Sequence, residues 1–234
     1  MINLLTPYLK STVLVESIMD QKSNNRFGTS FFFLYKHKTY LVTNTHIINQ
    51  AHEIYVYVML LNKISNTEKA YKLKLNSEGT IYHSKYDLCV LNVTDEIKED
   101  SDFKIIFTPI NSSKIPSDYA MFNSLTQLYM IGYPNIIRDI TNGYPVVKSG
   151  ISSTLLSVNY DNDEEFLADI SAVNGNSGSP VFTIYNNQIY FVGINYQSFD
   201  YIKKSNNTSI LLPTGITRII KASVLLEMVS KPDF

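Results

Sequence analysis

Short runs in which apolar and polar residues alternate recur along most of the chain, and this pattern constrains the fold more than any other feature of the sequence. Residues 53–58 (EIYVYV) and 70–75 (AYKLKL) are clear examples. A period of two places successive side chains on opposite faces of a β-strand. Helical periodicity is scarce before residue 219, and the 17 Tyr and 12 Phe residues favour strands. The sequence therefore predicts an all-β fold.

The predicted strands fall into two sets of about six, separated by a stretch rich in turn-forming residues. Two sets of short strands predict two six-stranded antiparallel β-barrels. We expect the N-terminal barrel within residues 1–100 and the C-terminal barrel within residues 123–218, joined by a connection over residues 101–122. Apolar residues at helical spacing predict a C-terminal α-helix within residues 219–234.

The charge balance of the chain argues against a nucleic-acid partner. The chain has 20 Lys and Arg residues against 21 Asp and Glu residues, which gives a formal charge of −1, and the basic residues are scattered. No motif in the sequence indicates a metal or another cofactor. We therefore expect the protein to bind neither a metal nor another cofactor.

The cysteine content and the N-terminal segment indicate the compartment. Cys89 is the single cysteine, which excludes an intrachain disulfide framework, and the apolar run around it predicts a buried, inert thiol. The first residues carry no basic region, and Pro7 interrupts their apolar run, so we expect no secretory signal. No stretch is long and apolar enough to predict a membrane span. These features favour a cytoplasmic protein without membrane contact.

One serine is flanked by small residues between two apolar runs, in the segment Gly175-Asn176-Ser177-Gly178. Such residues can hold a hydroxyl group on a tight loop, with backbone N–H groups facing the atom that it attacks. The same residues are also typical of an ordinary turn. The G-x-S-x-G motif of α/β-hydrolases does not fit, because Ser179 stands at its last position. Ser177 is the candidate nucleophile.

A serine nucleophile needs a base and a carboxylate that orients the base. Of the four histidines, His46 follows a predicted strand and small polar residues, although taken alone it is also typical of a structural histidine. Asp87 stands within an apolar alternation, where burial would require a partner, and a solvent-facing strand position explains it equally well. The order His46, Asp87, Ser177 is that of the chymotrypsin-type double barrel.

Several short segments resemble trypsin-like serine peptidases of the chymotrypsin fold, and they occur in the same order. Residues 41–48 (LVTNTHII) and 86–91 (YDLCVL) are similar to the histidine and aspartate segments of bacterial high-temperature-requirement proteases. Residues 28–31 (GTSF) and 132–134 (GYP) match strand segments of the same group. Residues 175–182 (GNSGSPVF) are similar to the serine loop of glutamyl endopeptidases.

This resemblance implies a serine endopeptidase that acts on peptide or protein substrates through an acyl-enzyme intermediate. By the resemblance, His46 acts as general base and then as general acid, and Asp87 orients it. Ser177 would attack the scissile carbonyl group, and the N–H groups of Gly175 and Ser177 would form the oxyanion hole.

Departures from the family limit what can be transferred. Secreted trypsins carry an aspartate just before the serine, whereas this chain has Asn176, so we do not expect activation by cleavage of a zymogen. Control by an activating partner or by loop ordering is expected instead. The resemblance places Ser171, Asn195 and Tyr196 at the substrate pocket, with Asp169 nearby, but it predicts neither an acidic nor a basic substrate preference. Ordinary strand positions are the alternative interpretation of Ser171 and Asn195.

Two other hypotheses are weighed, and the second of them is discounted. The first is a catalytically silent trypsin-like fold that serves as a protein-binding module, since a fold does not determine a function. The second, that Cys89 is the nucleophile, would require a cysteine at the position of Ser177. The predicted function is therefore a serine endopeptidase, regulated or narrowly specific inside the cell.

Overall fold

The computed structural model describes residues 4–19, 25–99, 101–135, 137, 139, 142–205 and 208–231. Fifteen strands and three α-helices lie within these ranges. Strands dominate both halves of the chain, so the predicted all-β class is confirmed.

The first half of the chain forms a nine-stranded sheet. Its elements are α1 (Thr6–Leu9), β1 (Thr12–Ile18), β2 (Arg26–Tyr35), β3 (Lys38–Thr43), α2 (Thr45–Ile48), β4 (Glu53–Asn62), β5 (Thr67–Leu75), β6 (Ile81–Tyr82), β7 (Cys89–Asn92), β8 (Phe103–Ile106) and β9 (Ile110–Asn111). The strand order is β5-β4-β1-β2-β3-β7-β6, with β8 paired to β4 and β9 paired to β2.

This sheet has more strands than the six that were predicted for the first half. Strand β4 is ten residues long, and one of its edges pairs with β1 over residues 53–57 and with β8 over residues 59–62. The additional strands β8 and β9 lie within residues 101–122, the segment that was predicted to connect the two halves. Two 3₁₀ helices, Ser112–Lys114 and Tyr119–Met121, follow them.

The second half forms the closed six-stranded barrel that the sequence predicted. Its elements are β10 (Gln127–Gly132), β11 (Val146–Ser152), β12 (Glu165–Asp169), β13 (Pro180–Tyr185), β14 (Gln188–Ser205), β15 (Thr208–Lys221) and α3 (Ala222–Ser230). The strand order around the barrel is β10-β11-β12-β15-β14-β13. Asn186 and Asn187 both have positive φ, 49° and 59°, which allows the tight hairpin between β13 and β14.

The predicted C-terminal helix is confirmed as α3, which is shorter than the predicted range. Residues 219–221 belong to β15, and residues 232–234 lie outside the described residues. No helix in the described part of the chain has the length and apolar character needed to span a bilayer.

Successive phenylalanines of β2 connect the two halves of the molecule. Phe32 packs in the core of the first sheet, whereas Phe31 and Phe33 point to the opposite face. On that face they contact Phe191 of β14, with ring centroids 5.3 Å and 6.3 Å apart. The second barrel therefore packs directly on β2.

The predicted burial of Cys89 is confirmed, and we expect this thiol to resist alkylation in the native protein. Cys89 is 0% exposed, and burial raises the pKa of its thiol, whereas the thiolate is the reactive form. Iodoacetamide at about pH 8, near the ordinary thiol pKa, should give no adduct before unfolding and one adduct after it. Mass spectrometry measures this result directly, because the chain has one cysteine. Rapid labelling of the native protein would contradict the burial.

Candidate active site

His46 lies in the short helix α2, at the end of β3. The Asn44 side-chain amide donates to the backbone oxygen of Asp87 at 2.6 Å, which ties the start of α2 to the segment before β7. The Arg26 guanidinium donates to the backbone oxygens of His46 at 2.8 Å and Asn49 at 3.1 Å. The guanidinium thereby provides hydrogen-bond donors for backbone oxygens at the C-terminal end of the helix. The His46 imidazole, 46% exposed, is thus presented to solvent from a helix held at both ends.

Both carboxylate oxygens of Asp87 contact His46. Oδ2 lies 2.5 Å from Nδ1 of the imidazole, and Oδ1 accepts from the His46 backbone N–H at 3.0 Å. Asp87 lies in the bend before β7 rather than on a solvent-facing strand position. With Nδ1 donating to the carboxylate, Nε2 of the neutral ring is the nitrogen that can accept a proton.

Ser177 lies in the loop between β12 and β13, and it is partly exposed. Gly175 and Gly178 flank it with φ of +95° and +85°, in the left-handed region that favours glycine. The Asn176 N–H donates to the Val173 oxygen at 2.9 Å and closes a turn. Within the described part of the chain, the N–H groups of Gly175 and Ser177 donate to no protein acceptor.

The segment from residue 171 to residue 179, called here the serine loop, is anchored on the first sheet through Thr29. The Thr29 N–H donates to the Ser177 oxygen at 2.8 Å, and its hydroxyl donates to the Gly175 oxygen at 2.7 Å. The Thr43 hydroxyl donates to the Thr29 oxygen at 2.8 Å. Thr43 ends β3, directly before the segment that carries His46. The structure thus brings the serine loop and the histidine–aspartate pair to the same junction.

Gly178 also shows how closely the serine loop approaches β2. A Cβ atom at this position would lie 2.0 Å from the Thr29 oxygen and 2.8 Å from Thr43 Oγ1. No side chain fits there without a shift of the backbone. A glycine after the serine is therefore required by the contact as well as by its φ of +85°.

We expect Thr29→Val to lower the free energy of unfolding by about 2–6 kcal/mol, since two buried groups would each lose their hydrogen-bond partner at a cost of about 1–3 kcal/mol. These groups are the Gly175 oxygen and the Tyr133 N–H, which donates to Thr29 Oγ1 at 2.9 Å. Urea denaturation measures the change. Thr29→Ser is the matched control, because it keeps the hydroxyl and loses only one methyl group, worth about 0.8 kcal/mol. Equal stability of the two variants would contradict the assigned role.

The predicted pocket residue Asn195 supports the serine loop from the second barrel. It is 2% exposed, and its Nδ2 donates to the Asn176 backbone oxygen at 2.8 Å. Its Oδ1 accepts from the Thr217 hydroxyl. Both polar ends of its amide are therefore engaged within the protein. Ser171, at the start of the serine loop, is exposed, as is Asp169 at the end of β12.

Tyr196, the fourth predicted pocket residue, belongs to a separate polar cluster. Its hydroxyl donates to the Glu165 carboxylate, with distances of 2.9 Å and 3.0 Å to the two oxygens. The same carboxylate pairs with Arg218 at 2.6 Å. Burial and the Glu165 charge raise the pKa of Tyr196, so its hydroxyl stays protonated as a donor. The roles of these four residues toward a substrate stay predictions.

The structure adds supporting residues that the sequence analysis did not identify. Arg26, Thr29 and Lys148 contact the helix or loop that carries a predicted triad residue, and Thr43 donates to Thr29. Thr29 lies in the GTSF segment and Thr43 in the LVTNTHII segment, which both carry part of the family resemblance, whereas neither Arg26 nor Lys148 lies in such a segment. Among the residues that the structure describes, no group of three or more His, Cys, Asp or Glu side chains could hold a metal ion.

A closed antiparallel barrel packed on a second sheet, with a histidine, a carboxylate and a serine loop at their junction, defines the class of chymotrypsin-like proteins. The family profile of the trypsin-like peptidase domain matches residues 28–194, which is more than half of the chain. The chain therefore belongs to the trypsin-like peptidase family. The resemblance predicted from the sequence is confirmed.

Solved structures of similar fold include proteases of the HtrA type. The HtrA-type protease AlgW, determined with a tripeptide, aligns with a TM-score of 0.61 and 16% identity over 98% of this chain and 62% of its own. The serine endoprotease from Yersinia pestis aligns with a TM-score of 0.59 and 19% identity over 97% of this chain and 64% of its own. At these identities the likeness concerns the fold, and this chain matches less than two thirds of either protein. No curated protein sequence matches the chain.

Proposed function

We propose that the protein is a serine endopeptidase that hydrolyses peptide bonds through a triad of His46, Asp87 and Ser177. The observation that carries the proposal is the 2.5 Å contact between His46 Nδ1 and Asp87 Oδ2, next to a serine loop anchored on Thr29. All three groups that acyl transfer requires are present in the chain. This completeness favours catalysis over the alternative of a silent binding module.

In the proposed acylation step, Ser177 Oγ attacks the carbonyl carbon of the scissile bond while its proton moves to His46 Nε2. The Asp87 carboxylate stabilises the imidazolium ion that forms. The N–H groups of Gly175 and Ser177, which have no acceptor in the described protein, are available to donate to the oxyanion. The carbon–nitrogen bond then breaks, and His46 gives its proton to the leaving amine.

Deacylation repeats these steps with water as the nucleophile. His46 takes a proton from the water, whose oxygen attacks the carbonyl carbon of the ester on Ser177. When the ester bond breaks, His46 returns the proton to Ser177 Oγ, and the carboxylic acid product leaves. The same three groups serve both half-reactions, so the cycle needs no metal or other cofactor.

A fluorophosphonate probe tests the proposal directly. We expect it to phosphonylate the wild-type protein at Ser177 with loss of fluoride, and peptide mass spectrometry locates the adduct. Ser179→Ala is the matched control, because Ser179 lies in the same loop, is buried and has no hydrogen-bond partner for its hydroxyl. This variant should be labelled like the wild type. Absence of labelling on Ser177 would overturn the proposed function.

The proposal includes control of the activity in the cytoplasm, through narrow specificity or an activating protein partner. Asn176 stands where secreted trypsins carry the aspartate used in zymogen activation, which supports a different form of control. We expect purified protein alone to cleave casein slowly or not at all. Release of acid-soluble peptides measures the rate, with trypsin as the positive control. Fast cleavage of casein without any partner would contradict this form of control.

A further inference from the structure

Lys148 of β11 reaches the serine loop from a neighbouring strand. Its Nζ donates to the Ser171 backbone oxygen at 2.7 Å and to Asn176 Oδ1 at 3.2 Å. The same Oδ1 accepts from the Val173 N–H at 3.1 Å. One ammonium group therefore joins the start of the serine loop to the residue that precedes Ser177.

The surroundings of Lys148 are unusual for a lysine. The side chain is partly buried, and burial lowers its pKa. Among the described residues, no carboxylate pairs with it, and its two acceptors are an amide oxygen and a backbone oxygen. Taking an ammonium group out of water is costly unless hydrogen bonds compensate. Its position is thus explained by these two contacts and not by a surface ion pair.

Asn176 is the residue through which Lys148 can affect catalysis. It is 1% exposed, and its two neighbours supply the proposed oxyanion donors, the N–H groups of Gly175 and Ser177. Its backbone oxygen accepts from Asn195 Nδ2 at 2.8 Å, while its side-chain oxygen accepts from Lys148. Contacts at both oxygens hold the orientation of the peptide groups on either side. Donors of an oxyanion hole are effective only when their direction is set before the reaction.

We propose that Lys148 is a positioning residue that holds the serine loop in the form able to stabilise the oxyanion. The inference rests on the proposed peptidase function. In this role Lys148 contacts the serine loop and takes no part in bond formation or cleavage. The cation comes from within the chain, so the loop needs no new N-terminus from proteolytic cleavage to be held in place.

The first test is the kinetics of Lys148→Met. We expect kcat to fall by about 10–100-fold, less than the roughly 10²–10³-fold cost of losing an oxyanion donor itself. KM should stay nearly unchanged, because the proposed role of Lys148 is to hold the serine loop and not to bind the ground-state substrate. The rate of fluorophosphonate labelling should fall in parallel with kcat.

Lys221→Met is the matched control. Lys221 is buried, its pKa is likewise lowered by burial, and its Nζ donates to Asn159 Oδ1 at 2.7 Å and to no described residue of the serine loop. We expect this variant to keep the kcat of the wild type. An equal fall in kcat for both variants would show a general effect of removing a buried cation and would overturn the proposal.

A chemical rescue separates positioning from simple packing. Lys148→Cys treated with 2-bromoethylamine carries an ammonium group at lysine length, while Cys89 is buried and protected. We expect alkylation to restore most of the lost kcat. Failure of the alkylated protein to recover, with mass spectrometry confirming the modification at position 148, would overturn the proposal.

Hydrogen exchange gives a readout that does not depend on activity. Amides of the serine loop should exchange faster in Lys148→Met and in Lys148→Gln than in the wild type, with the rest of the second barrel unchanged; Lys148→Gln serves if the methionine variant does not fold. If the wild type is labelled at Ser177 and both variants match it in labelling and exchange, only this inference fails. If the wild type is not labelled, the proposed function fails and takes this inference with it.

Discussion

Replacement of Ser177 by alanine is expected to lower kcat/KM for a cleaved peptide by at least about 10⁴-fold, as loss of the nucleophile does in other serine peptidases. Alanine removes the Oγ atom that would form the acyl-enzyme. It keeps the backbone oxygen that accepts from the Thr29 N–H at 2.8 Å, so the anchoring of the serine loop is retained. Steady-state hydrolysis of a peptide selected by substrate profiling measures the loss.

Two comparisons make this result specific to Ser177. Ser179→Ala removes a buried hydroxyl without a hydrogen-bond partner from the same loop, and it should keep the rate of the wild type. The urea denaturation midpoint of Ser177→Ala should lie close to that of the wild type, because Ser177 is partly exposed. Full activity in Ser177→Ala would mean that another group is the nucleophile.

Replacement of Asp87 by asparagine is expected to lower kcat by about 10⁴-fold, the size of effect that this change has in a Ser-His-Asp triad. An asparagine oxygen can still accept from the His46 backbone N–H, now 3.0 Å from Asp87 Oδ1. Its NH₂ group would then face Nδ1 and force the ring proton onto Nε2. That nitrogen could no longer accept the proton of Ser177, and the imidazolium ion would lose its counter-charge.

Asp163→Asn is the matched control for this change. Asp163 pairs with Lys85, two residues before Asp87, and its side chain is 31% exposed. Loss of an exposed ion pair costs about 1 kcal/mol or less, so activity should stay within a few-fold of the wild type. Comparable losses in the two variants would mean that the local charge matters and not the contact with His46.

Much of the architecture could be predicted because strand patterning is local. Alternation along segments such as 53–58 and 70–75 depends only on which face of a strand each side chain occupies, and both segments lie in strands. The burial of Cys89 followed from its apolar neighbours in the same way. The number of strands in the first sheet did not follow, because β4 pairs with both β1 and β8 along one edge. The alternation of apolar and polar residues does not predict how many neighbouring strands a long strand pairs with.

For the candidate site, too, the sequence predicted some features and the structure added others. The residue types and their order in the chain were enough to select His46, Asp87 and Ser177, since acyl transfer needs these three groups and a familiar order of segments carries them. Asn195 was predicted at the substrate pocket, and the structure adds that both ends of its amide are hydrogen-bonded within the protein. Its contacts come from strand pairing and barrel closure, which its neighbours in the sequence do not encode.

The sequence by itself determined the all-β class and the C-terminal helix, because these depend on local periodicity, and it selected candidate chemical groups from side-chain chemistry. Only the tertiary structure decided what holds those groups in place. The hydrogen bond from Thr29 to the Gly175 oxygen joins residues 146 positions apart in the sequence. The hydrogen bond from Lys148 to Asn176 joins residues 28 positions apart. Such contacts depend on strand register and on the packing of two halves, so no short stretch of sequence contains them.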